Sequence, residues 1–409
     1  MAADDRRFGK ARRVLESDEV VLPDEIEEEP TADEELEVGR VGALLGDRRR
    51  VALGALGFVL VLVAIYILIP KVVGLQDTIN KLGSATWYWL VVAVAFRPLS
   101  YAAYAVMFQA VMAGPRNDKI RRRLDFRASY QVSMASFAAT LLFSAGGAGG
   151  LVMTYWALGK AGMPRRRAVC RMLAYLILQY SVYLFALILF GVLLRTGVLS
   201  GDAPLGGTVV PAGISVLLFG LVLLISRIPG DLERRLEAFA QGYRRVRTLR
   251  RAGSVPATVA MAARTAWAYA KDGERGAVIM ASAVGYWAAN IGVLWASFKA
   301  FGVAVPLGVV VQGFFVGMAA NLLPSAAGGA GSVDAGMIGA FVLFGIHASA
   351  VFPAVLVFRA IFFWLPIPFG IAAYVQLRRT VAGWEEERAV ERRRRAYTSE
   401  SKASTAEAT

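Results

Sequence analysis

Apolar runs about as long as a bilayer is thick, roughly 17–25 residues, recur along this chain, and two glycine clusters break the pattern. The runs are Val51–Ile69, Trp87–Met112, Ala168–Leu194, Val209–Ile225, Ala277–Phe298 and Ala350–Gln376. In hydrocarbon a segment must satisfy its own backbone N–H and C=O groups, so runs of this length fold as helices. The expected fold class is therefore all-α, a polytopic helical membrane protein with about six full spans. Composition agrees: 56% of the 409 residues are hydrophobic, and the mean hydropathy is +0.51.

The clusters are nearly the same string. Phe143–Val152 reads FSAGGAGGLV, and Pro324–Val333 reads PSAAGGAGSV. The first lies between two basic segments, Pro115–Arg127 and Lys160–Arg171. Loops rich in Lys and Arg stay in the cytoplasm, so both flanks belong on one side. A re-entrant hairpin meets that demand: in from Ala128, a turn at the glycines, back through Leu151–Leu158. The second cluster divides Leu307–Leu323 from Ser332–Gly345, and its flanks are poor in positive charge, as on the outer side. The expected turns use Gly146, Gly147, Gly149 and Gly150 in one hairpin and Gly328, Gly329 and Gly331 in the other. Glycine permits positive φ and close helix contact there. Two hairpins from opposite faces point to an inverted-repeat carrier with its site near the bilayer midplane. The alternative is two ordinary spans with glycine-rich packing faces.

Organisation follows from charge. Residues 1–50 read as a disordered cytoplasmic tail, because Asp24–Glu37 is too acidic and too poor in apolar residues to fold alone. Residues 51–378 form the membrane domain, with repeat halves at about 87–226 and 277–376. A basic connection, 227–276, carries Leu232, Leu236, Phe239, Tyr243 and Val246 at helical spacing. It suits either an anionic membrane surface or the protein's own loops. Residues 379–409 read as a cytoplasmic tail with a short surface helix. Both termini are expected in the cytoplasm of a bacterial cell, with the chain in its cytoplasmic membrane. The net charge of +14 follows the membrane segments rather than forming one stripe. This argues for anionic lipid headgroups as partners and against nucleic acid. A homo-oligomer stays open.

Some chemistry is excluded by count. Cys170 and His347 are single, so neither a disulfide nor a His/Cys metal site is expected within the chain. There is no nucleophile–base motif and no phosphate-binding loop. No cofactor and no catalytic residues are expected, and an enzyme is the less favoured class. Ionisable groups at membrane depth default to function. Asp334, just after the second glycine cluster, suits a helix cap or a substrate contact, and the two are not exclusive. Arg359, deep in the last span, calls for a buried partner or an anionic headgroup. Arg97, followed by Pro98, reads either as a headgroup contact or as a kink whose Arg reaches an interface. Gln109, Gln131, Gln179, Asn290 and Gln312 read as amides joining helices. Asn321, entering the second hairpin, is the amide most suited to substrate.

PSAAGGAGSVDAG (Pro324–Gly336), Gly345 and FRAIFFWLPIPFG (Phe358–Gly370) resemble the flippase-type transmembrane domain of bacterial lysylphosphatidylglycerol synthases, the multiple peptide resistance factor family, and its stand-alone relatives. The matching positions are Pro324, Gly328, Gly329, Gly331, Asp334, Arg359, Pro366 and Gly370, and the likeness covers about residues 51–378. The family's acidic residue is usually Glu, and Leu151 and Val152 stand where its first repeat usually carries charge. The resemblance implies translocation of a phospholipid or glycolipid headgroup between leaflets; in that reading Arg359 and Arg97 would hold the headgroup, Asp334 would bind a cationic moiety or balance Arg359, and Asn321 would be a further contact. Synthase activity is not implied. A secondary transporter of a small solute, or a membrane-embedded transferase or its partner, would use the same architecture.

Overall fold

The computed structural model describes residues 85–113, 119–142, 148–227, 247–322 and 331–407. The acidic tail, the first apolar run, the amphipathic stretch from Leu232 to Val246, and Gly146, Gly147, Gly328 and Gly329 lie outside them. The described residues are helical, as the fold class required: α1 (Trp87–Met112), α2 (Lys119–Arg123), α3 (Phe126–Leu142), α4 (Ala148–Lys160), α5 (Arg165–Arg195), α6 (Val209–Ser226), α7 (Arg247–Lys271), α8 (Gly273–Ala300), α9 (Leu307–Met318), α10 (Ser332–Leu343), α11 (Ala348–Arg359) and α12 (Pro366–Glu407). A 3₁₀ turn (Ala319–Leu322) follows α9, and a π-helical turn (Ala360–Trp364) joins α11 to α12.

Five described helices are long and apolar enough to cross a bilayer: α1, α5, α6, α8 and the α11–α12 rod. They coincide with five of the six expected spans; the sixth, Val51–Ile69, is outside the described residues. Between them sit two pairs of shorter helices. Helices α9 and α10 have 12 residues each, about 18 Å by helical rise, well short of a hydrocarbon core about 30 Å thick. Both pairs are hairpins. In the first, Ser136 Oγ on α3 meets Thr154 Oγ1 on α4 at 2.9 Å, and Gly150 lies against Thr140 and the Ser136 carbonyl. In the second, Gly317 packs on Met337, and Gly313 on Phe341. The contacts of each set pair residues about equally far, in sequence, on either side of the glycine cluster.

The hairpins open at opposite ends of α5. Arg123, before α3, donates to the Ala161 carbonyl after α4 at 3.1 Å, so both feet of the first hairpin stand near the N-terminus of α5. The loop after α5 holds both feet of the second: Gly201 and Leu199 touch Val309 and Gly308 at the start of α9, while Gly207 lies against Phe344 at the end of α10. The contacts between elements repeat in the same inverted sense. Helix α3 packs on α12 and α9 on α5; α4 packs on α5 and α10 on α11; α1 packs on α3 and α8 on α9. The halves meet along α1 and α8, which run antiparallel, with Thr86 N–H donating to the Ala300 carbonyl at 2.8 Å. Two apolar clusters each draw on both halves: one joins Trp287, Phe314 and Phe358 to Tyr183 and Leu187 of α5, and the other joins Phe108, Trp156 and Leu178 to Ile279 of α8 and Leu377 of α12.

Three readings differ in detail. Helix α1 runs through Pro98 without a break, and Arg97 is buried within the packing instead of reaching an interface. The segment read as a basic loop, Lys160–Arg171, is largely helical: α5 begins at Arg165, and Arg171 is fully buried with Nη1 donating to the Met112 carbonyl at 2.5 Å. The expected short surface helix after residue 379 is the unbroken continuation of α12. Its Trp384 is buried, and Glu387 and Glu391 face Arg123 at 3.5 and 3.8 Å. Glu385 pairs with Lys160. The acidic residues there complement the basic feet of the first hairpin, so the helix docks where a composition-based reading sees only a solvated end. Helix α7 docks likewise, with Ala262, Thr265 and Tyr269 buried.

Candidate functional site

Asp334 and Arg359 come together. Asp334 is the third residue of α10, and the carboxylate reaches back so that Oδ2 accepts from the Gly331 N–H at 3.0 Å. Gly331 has φ +85°, a conformation open to glycine at little cost, and it caps the start of α10. The other oxygen, Oδ1, lies 2.8 Å from Arg359 Nε. Asp334 thus caps its helix and balances an arginine at once. The Arg359 side chain is 3% exposed, whereas Asp334 is 24% exposed. The pair is open on its acidic side and closed on its basic side. Phe363 covers the guanidinium, its ring centre 4.8 Å from Cζ.

Arg97 sits on the other side of the same turn. Nη1 donates to Asn290 Oδ1 at 2.6 Å and to Ser100 Oγ at 3.2 Å. Nη2 donates to the Tyr101 hydroxyl at 2.5 Å and to the Phe362 carbonyl at 2.7 Å. Tyr101 and Phe362 each lie with ring centres 4.3 Å from Cζ, and Phe137 of the first hairpin lies at 5.6 Å. None of these partners is a carboxylate. Burying an ion costs several kcal/mol, and hydrogen bonds from a charged donor return about 1.5–3 kcal/mol each. Four such bonds plus aromatic faces are of the size needed to hold the cation there.

The π-turn is what brings the two arginines to one place. Phe362 and Phe363 are adjacent in sequence, and each covers one guanidinium. On the N-terminal side of the turn, Arg359 looks to the second hairpin. On its C-terminal side, Gly370 of α12 presses on the Met134 carbonyl and Ala138 of the first. π-Turns of this kind recur at functional sites. The remaining members of the motif have structural reasons. Gly345, with φ +80°, ends the second hairpin against Asp202, and a side chain there would meet that carboxylate at 2.5 Å. Pro366 opens α12.

Residues 54–370 match the family described as "Lysylphosphatidylglycerol synthase TM region". The chain belongs to the lysylphosphatidylglycerol synthase transmembrane-region family. No curated protein and no solved structure matches it. Membership of this family makes the chain a membrane protein related to lipid modification or transport. As a lysylphosphatidylglycerol synthase-type domain, it keeps its motif in the second half, where Asp334, Arg359, Pro366 and Gly370 surround the π-turn. In the first half, Leu151 and Val152 are both exposed apolar side chains. Among the described residues the carboxylate–arginine pair therefore belongs to one hairpin.

Asn321 lies exposed in the 3₁₀ turn that follows α9. Gly149 and Gly150 are buried in the first turn of α4. In the sequence Asn290 is one amide among several; in the fold it is the residue that orients Arg97. The Asn290 Nδ2 donates to the Tyr286 carbonyl at 2.8 Å, which turns Oδ1 toward the guanidinium. Tyr101 and the Phe362 carbonyl were not foreseen. Tyr101 lies four residues after Arg97, one helical turn away, and that spacing was a signal available in the sequence.

Proposed function

We propose that this chain translocates lipid headgroups between leaflets, with the Asp334–Arg359 pair as the headgroup contact. The observation that carries the reading is the half-open pair at the first turn of α10, a helix too short to cross. It lies within a frame of two hairpins that open toward opposite ends of the molecule. A polar group at membrane depth is costly, and broken helices at that depth are tolerated where they line a cavity. A headgroup bearing phosphate would compete with Asp334 for Arg359. A headgroup bearing an amine would meet Asp334 on its exposed side. Acyl chains would stay in the surrounding lipid. Lys and Arg gather at the end holding α2, the start of α5 and the α12 extension, which supports a cytoplasmic place for that end.

The test is headgroup sidedness in vesicles of phosphatidylglycerol and phosphatidylethanolamine. An impermeant reagent that modifies only outward-facing headgroups reads the exchange between leaflets. The protein is expected to speed that exchange, and Arg359→Ala and Asp334→Asn are expected to abolish the increase while leaving the fold intact. Vesicles whose headgroups equilibrate no faster with protein than without would end this reading.

A further inference from the structure

We infer that Arg97 is a positioning residue that replaces a backbone donor missing from the last membrane rod, and so holds the π-turn that faces both hairpins. In an α-helix the carbonyl of residue i accepts from the N–H of residue i+4. For Phe362 that residue is Pro366, which has no N–H. The ladder here has slipped as well: Leu365 N–H donates to the Ala360 carbonyl at 3.0 Å, five residues back. The Phe362 carbonyl therefore loses its α-helical partner in a place where water is scarce, and a buried carbonyl must find another.

Arg97 provides it from a helix 265 positions away in sequence, with Nη2 at 2.7 Å. Its other three hydrogen bonds fix the guanidinium in place before the carbonyl is considered. Ser100 and Tyr101 belong to its own helix, and Asn290 belongs to α8. The Phe362 ring also stacks over Cζ, so backbone and side chain of one residue are gripped together.

Why a membrane rod would keep such a turn is visible on its two sides. A π-turn inserts one residue, which rotates the helix after it by about 100° relative to α register. The turn thus sets the phase between Arg359 and Gly370. In the phase observed, Arg359 meets Asp334 at 2.8 Å, while Gly370 sits against Met134 and Ala138 closely enough that a Cβ would come within 2.6 Å of Ala138. Relaxation to a continuous α-helix would turn one of these faces away from its hairpin. The four hydrogen bonds of Arg97 go to Ser100, Asn290, Tyr101 and the Phe362 carbonyl and not to Asp334, so it acts through the turn.

Pro366 makes this testable, because Pro366→Ala restores the missing N–H. The full-length protein is purified in lipid nanodiscs, and hydrogen exchange is followed at the amides from Ala360 to Leu365. This readout is independent of the translocase reading, on which only the transport arm rests. Arg97→Met is expected to lower protection there by roughly tenfold, the scale of losing one hydrogen bond to a charged donor. Arg97→Lys, with one donor geometry in place of a fork, is expected between Met and native. Pro366→Ala alone is expected to remain close to native, and the double variant Arg97→Met/Pro366→Ala is expected to regain most of the lost protection. Where the native protein moves lipid, translocation should fall and recover in the same order. A double variant no better protected than Arg97→Met overturns the inference. So does Arg97→Met with native protection and lost transport, since that places Arg97 on the substrate. If Arg97→Met does not fold, the Lys variant with and without Pro366→Ala carries the same comparison.

Discussion

Asp334 uses its two oxygens for two purposes. One oxygen ties the N–H of Gly331 at the start of α10, and the other faces Arg359. Removing one partner of a fully buried pair costs about 3–5 kcal/mol. Asp334 is partly exposed, so about 1–3 kcal/mol is the fitting scale after screening. Asp334→Asn keeps an oxygen for the Gly331 cap but removes the charge that Oδ1 presents to Arg359. It is expected to lower the thermal midpoint of the purified protein by several degrees. The double variant Asp334→Leu/Arg359→Met removes both charges and is expected to unfold nearer the native temperature, yet to move no lipid. A double variant as unstable as the single one would mean that the pair's value lies in shape rather than charge.

At the scale of elements, the hairpins exist because small residues let short helices approach. The space is tightest at Gly150, where a Cβ would lie 2.2 Å from Thr140 Oγ1 and 2.7 Å from the Ser136 carbonyl. At Gly317 it would lie 2.7 Å from the Met337 Cα. Gly150→Leu and Gly317→Leu are each expected to destabilise by about 1–3 kcal/mol, the usual scale of overpacking. Gly339, on the open side of α10, has nothing within 4 Å. Gly339→Ala is expected to be neutral or to stabilise by about 0.4–1 kcal/mol. Thermal unfolding of the three variants in one detergent separates close packing from a general intolerance of side chains. Equal losses at Gly317 and Gly339 would refute the hairpin contact as the cause.

The whole molecule is two halves of opposite sense joined along α1 and α8. This topology can be read with the native chain's own advantage: Cys170 is its single cysteine and is fully buried, so it adds no background to labelling. Cysteines placed at Arg121, Arg165 and Asp202, all exposed, would be probed with an impermeant thiol reagent in sealed vesicles. The first two flank the first hairpin and are expected on one side of the membrane, with the third on the other. Labels at positions 121 and 165 from opposite sides would show α3 and α4 carrying the chain across.

The class of the molecule was legible in the residues because bilayer thickness imposes a length on apolar runs, and those runs stand in plain view. The five spans that can be compared fall where their apolar runs do. The hairpins were legible too, through the repeated glycines and the basic segments that must share a side. Asp334 and Arg359 could be picked out because charge at depth is conspicuous, and balancing Arg359 was one of two roles open to Asp334, but no spacing decided between them. That pairing, the Asn290–Arg97 contact and the slipped turn after Arg359 depend on contacts between residues tens to hundreds of positions apart. The α12 extension shows the same limit from the other direction. Its composition is that of a solvated tail, and only the nearness of Arg123 and Lys160 gives its glutamates somewhere to dock. Local pattern determined which segments are helices and where they break. Packing alone decided which charges meet, because a side chain's partner is set by where distant helices cross.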